Sequence, residues 1–418
     1  MSTRKYISSF ALLLFLGACA AGDDAKSYDT AFEDEQKPGK AQELEDYQVA
    51  SLSPGKRPPL SSDEAGLWMK MDNAEKNLKT SGNIIHDKQL NRYLNKVVCR
   101  VARSYCNDVR VYAVRMPYFN ASMAPNGTMQ IWSGLMLRAK NEAQLAAVLG
   151  HELGHYLRRH SLQQMRKSIE TASTMAFFHV ATLGITAGIS DLMAAGSLRA
   201  NSRNHEREAD GYGLVLMTDA GYNPRQAAGI WERLLRERRA DKSNKGGGAM
   251  FLSTHPGKEE RVAALKRLSK RAIARHSRQQ AGKRRKQRLI DGKRSYARAM
   301  RKHRSTFLRD ELNLRRFDQT QELLKMLMED GSNVAELQYF QGELYRLRNK
   351  DGDTAKAMKS YRLALRSRGT PPSEIHRDMG LILHKQRKRR AARKSLAMYL
   401  KKNPKAEDAE MIRYMLNE

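Results

Sequence analysis

Apolar residues at three- and four-residue intervals dominate this chain. After a polar stretch ending near residue 60, Leu67, Met71, Ala74 and Leu78 recur at helical spacing, and Ser61 with Glu64 offers a capping box ahead of them. A second helix is expected from Lys88 to Ala102. The period then changes. Val109 to Val114 alternates like a strand and Met129-Gln130-Ile131-Trp132 is a shorter candidate, with Ala124-Pro125-Asn126-Gly127 turning between them, so a small sheet is expected. From Glu142 to His160 the pattern is helical again, and Leu145, Val148, Leu149 and Leu153 bury one side of that helix.

This last helix carries His151-Glu152-Leu153-Gly154-His155. Positions i and i+4 share a helix face, so both imidazoles can reach one metal ion, with Glu152 close enough to handle a water on that metal. A catalytic zinc ion usually takes three protein ligands, and this motif supplies two. About fifty residues on, Ser202-Arg203-Asn204-His205-Glu206-Arg207-Glu208-Ala209-Asp210 packs three carboxylates and a histidine into a predicted helix, and one of them should be the third ligand.

The N-terminus places this chemistry outside the cytoplasm. Arg4-Lys5 precedes the apolar run Phe10 to Leu16, which is too short to span a membrane as a mature helix, and Leu16-Gly17-Ala18-Cys19 has the form of a bacterial lipobox. Residues 1–18 are then expected to be a lipoprotein signal peptide, with Cys19 as a lipidated N-terminus. The next residue, Ala20, favours the periplasmic face of the outer membrane. Residues 19–60, acidic at first and later rich in Pro and Gly, form a flexible tether with a span of roughly 35 Å. In an oxidising compartment Cys99 and Cys106 are expected to form a local disulfide.

Charge adds a second theme. The chain has 76 Lys and Arg against 45 Asp and Glu, a net charge of +31, which suits anionic surroundings. Between Lys266 and Arg304 stand 17 Lys or Arg and one acid, Asp291, so residues 269–306 look like a solvated basic helix or linker. With Tyr296 its sole aromatic residue, that segment favours an anionic membrane surface over nucleic acid, and no nucleic acid is expected as a partner. Residues 174–193 are apolar enough for a buried or membrane-touching helical hairpin. In residues 307–418, Gly342, Ala357, Tyr361 and Ala364 are echoed by Gly380, Ala392, Leu396 and Tyr399, a spacing near that of tetratricopeptide helical pairs.

The two site motifs in this order, with Phe119-Asn120-Ala121 before them and Thr254-His255-Pro256 after, make residues 61–268 resemble the zinc metallopeptidases of the HtpX and CAAX-prenyl-protease type. Lipobox and repeat tail make the chain most similar to the periplasmic BepA-like branch. The resemblance implies an α+β fold: a mostly helical gluzincin-type metallopeptidase domain with a small sheet, followed by an all-α tetratricopeptide-like domain. It implies one Zn2+ per chain on His151, His155 and Glu206, with Glu152 as general base. Asp210, one turn from Glu206, would orient a ligating histidine, whereas Glu208 would point away, His205 would be poorly placed for the metal, and His160 would be a surface or helix-end residue. Asn120 and Ala121 would belong to a substrate-binding edge strand, and His255 would be a gate or fourth ligand that keeps the site latent.

The expected function is that of a zinc endopeptidase of the bacterial envelope. Its substrates would be unfolded or unassembled envelope proteins, with the repeats recruiting substrates or outer-membrane assembly machinery. The alternative is a chaperone or assembly adaptor that works through its repeats around a latent site.

Overall fold

Ser62, not Ser61, caps the first helix: its Oγ accepts the Ala65 N–H at the start of α1 (Asp63–Thr80). Glu64 is drawn elsewhere, buried and paired with Arg159. The computed structural model describes residues 52–171, 203–242, 255, 258–284, 286–331 and 333–417. The signal segment, Cys19, most of the tether and the apolar stretch 174–193 lie outside the described residues.

Met71, Ala74 and Leu78 of α1 are buried as their spacing predicts, and α2 (Lys88–Ala102) follows, capped by Asp87. Cys99 at its end is bonded to Cys106 across a 3-10 turn. The sheet has three strands, β1 (Arg110–Val114), β2 (Ala121–Met123) and β3 (Thr128–Trp132), in the order β1-β3-β2. β1 and β3 pair in parallel, and β2 pairs antiparallel to β3 with Ala121 opposite Ile131 and Met123 opposite Met129. The turn at residues 124–127 therefore closes the β2–β3 hairpin rather than joining the two strands read from the sequence. A three-residue strand is too short to show an alternating pattern, so β2 left no trace in it. Gly127 in that turn has φ +87°, and a side chain there would run into the carbonyl of Asp108.

α3 (Ser133–Arg138) leads into α4 (Glu142–Leu157), the buried helix that carries the histidine motif. Its first turn is held from three sides: Tyr93 and Ser295 donate to one oxygen of Glu142 and Tyr222 to the other. The helix does not run on to His160 as its periodicity predicts. Arg159 takes φ +58°, the chain turns, and α5 (His160–Thr171) starts afresh. α6 (Arg203–Asp219) then lies against α4 at very close range. A Cβ on Gly154 would sit 2.9 Å from the Ala209 carbonyl oxygen, and one on Gly213 would sit 2.8 Å from the His151 nitrogen. Only glycines allow that approach, and it brings the second motif up to the first.

α7 (Gln226–Ala240) and α8 (Lys258–Gln280) complete the frame of the site. Residues 269–306 are largely helical and mostly exposed, as a solvated basic helix should be, but the boundary expected at 269 falls inside α8 and the segment is anchored at a few points rather than free. Arg275 is buried against Asp219 at 2.7 Å, and Tyr296 in α9 (Lys293–Met300) donates to the carbonyl of Met136. Its basic residues disguise a few apolar anchors, Ala272, Tyr296 and Met300, that are buried in the core. All described residues fall in one compact unit spanning 44–418.

The tail is all helix: α10 (Arg304–Asn313), α11 (Phe317–Glu329), α12 (Val334–Arg348), α13 (Asp353–Arg366), α14 (Ile375–Lys385), α15 (Arg389–Lys402) and α16 (Ala409–Asn417). Within it α12 and α13 form one hairpin and α14 and α15 another. At the crossings, a side chain on Gly342 would collide with the Tyr361 ring, and one on Gly380 with Leu396. These are the residues that echo one another in the sequence. Among the described residues no helix is long and apolar enough to cross a membrane.

Candidate metal centre

Four side chains from three parts of the chain converge beneath the sheet. His151 and His155 come from α4, Glu206 from α6 and His255 from the segment before α8, and all four are buried. One ligand atom from each lies within 4.8 Å of every other. His151 Nε2 and His155 Nε2 are 3.1 Å apart, and His255 Nδ1 is 2.8 Å from Glu206 Oε1 and 3.3 Å from His151 Nε2. Nitrogen lone pairs pointed at one another in a buried space repel unless a cation or a proton stands between them. Imidazole nitrogens with one carboxylate are a donor set that suits zinc. The oxygen Oε1 of Glu152 supports the same fit, since it is buried without a hydrogen-bond donor and faces this space, 3.8 Å from His255 Nε2.

Burial and neighbouring charge shift several of these groups. Burial and the neighbouring His151 and His255 hold the His155 ring well below the usual range, overriding Glu206, so it is neutral and free to coordinate. Burial alone would raise Glu206, but the charges of His255, Arg261 and His151 hold it well below the ordinary carboxylate range. Glu152 goes the other way. Burial pushes it up to about 7, helped by Glu206 and opposed by His151, Arg261 and the N–H of Met123.

That N–H ties the sheet to the chemistry. β2 is an edge strand whose residues 120 and 124 bond to β3, so Ala121 and Met123 turn their backbone groups to the open edge. Met123 uses its N–H on Glu152. Asn120 is buried with its carbonyl engaged by Trp132, so within Phe119-Asn120-Ala121 it is Ala121 that offers backbone to the edge.

Asp210 stands where the sequence places it, with Oδ1 3.0 Å from His151 Nδ1. Three groups were not legible in the sequence. The guanidinium of Arg261 lies 2.6 Å from Asp210 Oδ1, 2.9 Å from Glu206 Oε2 and 3.9 Å above the ring of Trp231. It balances two buried carboxylates beside the donors, and its spacing does not single it out among the many arginines of α8. The second group is His160, expected at the surface but 1% exposed. The turn at Arg159 folds it back under α4, where its Nδ1 meets His155 Nδ1 at 2.8 Å and its Nε2 meets Glu208 Oε2 at 2.9 Å. The third is Glu208 itself, which points away from the donors as expected but grips His160 and Arg158. His205 stacks on His160 with ring centres 4.1 Å apart, outside the donor set.

With Nε2 of His155 turned to a metal, its Nδ1–H donates to His160, and His160 in turn donates to Glu208. Such outer partners fix ring orientation and raise ligand basicity. His160→Ala is expected to weaken zinc affinity by about 10–100-fold. Competition against a coloured chelator measures it, and an unchanged affinity would remove His160 from the site.

Residues 85–269 match peptidase family M48. The chain is 33% identical over 177 residues to a mitochondrial metalloendopeptidase, OMA1, of Schizosaccharomyces pombe, covering 41% of this chain and 51% of that protein. It is 31% identical over 200 residues to a putative beta-barrel assembly-enhancing protease of Vibrio cholerae, covering 44% and 40%. Metalloprotease YcaL of Escherichia coli is 28% identical over 197 residues, 44% of this chain and 73% of that protein. The chain thus spans about half or less of the first two relatives.

Proposed function

We propose, from the match of residues 85–269 to peptidase family M48, that this chain is a zinc-dependent endopeptidase of the bacterial envelope acting on unfolded or unassembled envelope proteins. The observation that carries the reading is the convergence of the His151, His155 and Glu206 donors beside a buried Glu152 that also touches an edge strand. Zinc held there would polarise the scissile carbonyl and make water acidic enough to attack at neutral pH. Glu152 takes the proton as the water oxygen adds to the carbonyl carbon, then hands it to the amine nitrogen as the C–N bond breaks. The substrate pairs as an extended strand along β2, on the backbone groups of Ala121, while the Met123 N–H keeps Glu152 turned toward the reacting carbon. Main-chain pairing is tolerant of sequence but requires an unfolded stretch, which suits a quality-control enzyme.

The name of the Vibrio cholerae relative, a putative beta-barrel assembly-enhancing protease, supports barrel proteins that fail to assemble as substrates within that envelope class. The lipobox at Cys19 would hold the domain at the periplasmic face of the outer membrane, and tetratricopeptide-like hairpins in α12–α15 would recruit substrates or assembly machinery. Trapping in cells with Glu152→Gln tests this. Unfolded envelope proteins should co-purify with the variant, and an empty trap would count against the reading.

His255 favours a second, regulatory layer, because its Nδ1 lies 2.8 Å from Glu206 Oε1 and 3.3 Å from His151 Nε2, among the other donors. As a fourth ligand it would fill the position that water needs and keep the protease latent. His255→Ala should then raise cleavage of an unfolded substrate, by about tenfold for a site open a tenth of the time. Unchanged or lower cleavage would count against the gate. A latent site also leaves room for the adaptor reading, and any in-cell function that survives Glu152→Gln belongs to it.

A further inference from the structure

The strongest unassigned charge lies in the tail. Between Met379 and Ala406 the chain carries ten lysines and arginines and no acid, and all ten are exposed. None of them forms an ion pair among the described residues. Elsewhere the arginines are heavily paired: Arg110 with Glu75, Arg115 with Asp310, Arg138 with Glu237 and Arg348 with Asp353. The net charge is therefore most nakedly expressed on α15 and the turn before it.

The pattern is not random within the repeat. Ala357, Tyr361 and Ala364 of α13 are buried, and so are Ala392, Leu396 and Tyr399, which stand thirty-five residues on in α15. The same offset carries the outer face across. Lys359, Leu363 and Arg366 of α13 correspond to Lys394, Met398 and Lys401 of α15, and all six are exposed. Each helix thus presents a large apolar side chain at i+4 between two cations, one helix face in both cases. Leu363 is 43% exposed and Met398 is 38% exposed.

We infer that this repeated face of α13 and α15 docks on a bilayer surface rich in anionic phospholipid. Cations alone would suit any polyanion, but a solvated face has no use for an exposed Leu and Met held between them. Together they match a headgroup layer, where phosphates meet the cations and the apolar side chains enter the acyl boundary. The face has no exposed aromatic residue for base stacking, which sets nucleic acid aside. This deepens the envelope reading by naming a second membrane contact besides Cys19, and it moves the membrane-binding charge from residues 266–304 to the tail. It does not depend on the peptidase chemistry, so a binding assay can fail while cleavage stands, and the reverse.

The test is flotation of the full chain carrying Cys19→Ser, so that no acyl chain contributes, with vesicles of phosphatidylcholine alone or with phosphatidylglycerol at about a third. Binding to the mixed vesicles should exceed that to neutral ones at least tenfold and fall as salt rises, since each surface cation is worth about fivefold. Lys359→Glu, Arg366→Glu, Lys394→Glu and Lys401→Glu combined should abolish the excess. A second variant, Leu363→Ser with Met398→Ser, should weaken it severalfold with every charge kept. Equal binding to both vesicles, or loss of neither kind in the variants, overturns the inference. Duplex DNA or an acidic peptide competing fully while the Ser variant binds vesicles normally would also overturn it, by showing a generic polyanion site.

Discussion

Glu152→Gln is expected to lower kcat on an unfolded substrate by about 10²–10⁴-fold while leaving zinc bound. The amide has the size and shape of the carboxyl and can still accept the N–H of Met123 through its oxygen, so the fold and the β2 edge should survive. What it cannot do is take a proton. In the protein alone burial holds this carboxyl near 7, and a divalent cation beside it would pull it down and keep it a base. On the proposed pairing of substrate with Ala121 rather than with Glu152, KM should move little and the loss should appear in kcat. A fall in zinc content, or a loss seen only in KM, would mean that Glu152 holds structure rather than moves protons.

Arg138→Ala should be the most damaging change outside the metal centre, costing about 3–5 kcal/mol of stability. Arg138 is 2% exposed at the end of α3 and joins Glu237 of α7 at 2.8 Å to Glu311 of α10 at 3.0 Å. Glu311 also takes Arg316 at 2.9 Å, so the cluster ties the peptidase frame to the first tail helix. Removing the guanidinium leaves Glu237 buried without its cation, beside a Glu311 that keeps Arg316. Burial already raises Glu237 above the usual carboxylate range despite Arg138, and without the cation it would be forced to hold a proton. The unfolding midpoint in urea checks the size of the loss. Replacing Arg138 and Glu237 together by apolar residues of similar volume, with Glu311 left to Arg316, should recover most of it, because the penalty comes from the orphaned charge.

These two predictions differ in how far the sequence foretold them. His151, His155, Glu152 and Glu206 were legible because helix geometry turns i, i+4 spacing into a shared face, and the resemblance named the distant carboxylate. α1, α2, β1 and β3 were legible within a residue or two from periodicity alone. β2 was not, being too short to alternate, and neither was the break at Arg159, a non-glycine residue at positive φ that no composition marks. His160 was lost with that break, since five residues along an unbroken helix would have carried it off the ligand face. The points at which 269–306 is anchored were missed because its lysines and arginines outnumber the few apolar side chains that are buried there. Arg138, Arg261 and their carboxylate partners are long-range pairs, and one sequence holds no signal for which of its arginines will be enclosed.

The central claim is that donors from both motifs hold one metal ion. Its most direct test is a calorimetric titration of zinc into the metal-free chain and into Glu206→Ala. The wild-type chain should take up one zinc, and the variant should bind it more weakly by well over the 10–100-fold that an outer partner is worth. An equal affinity in the two, or no site at all in the wild type, would contradict the account.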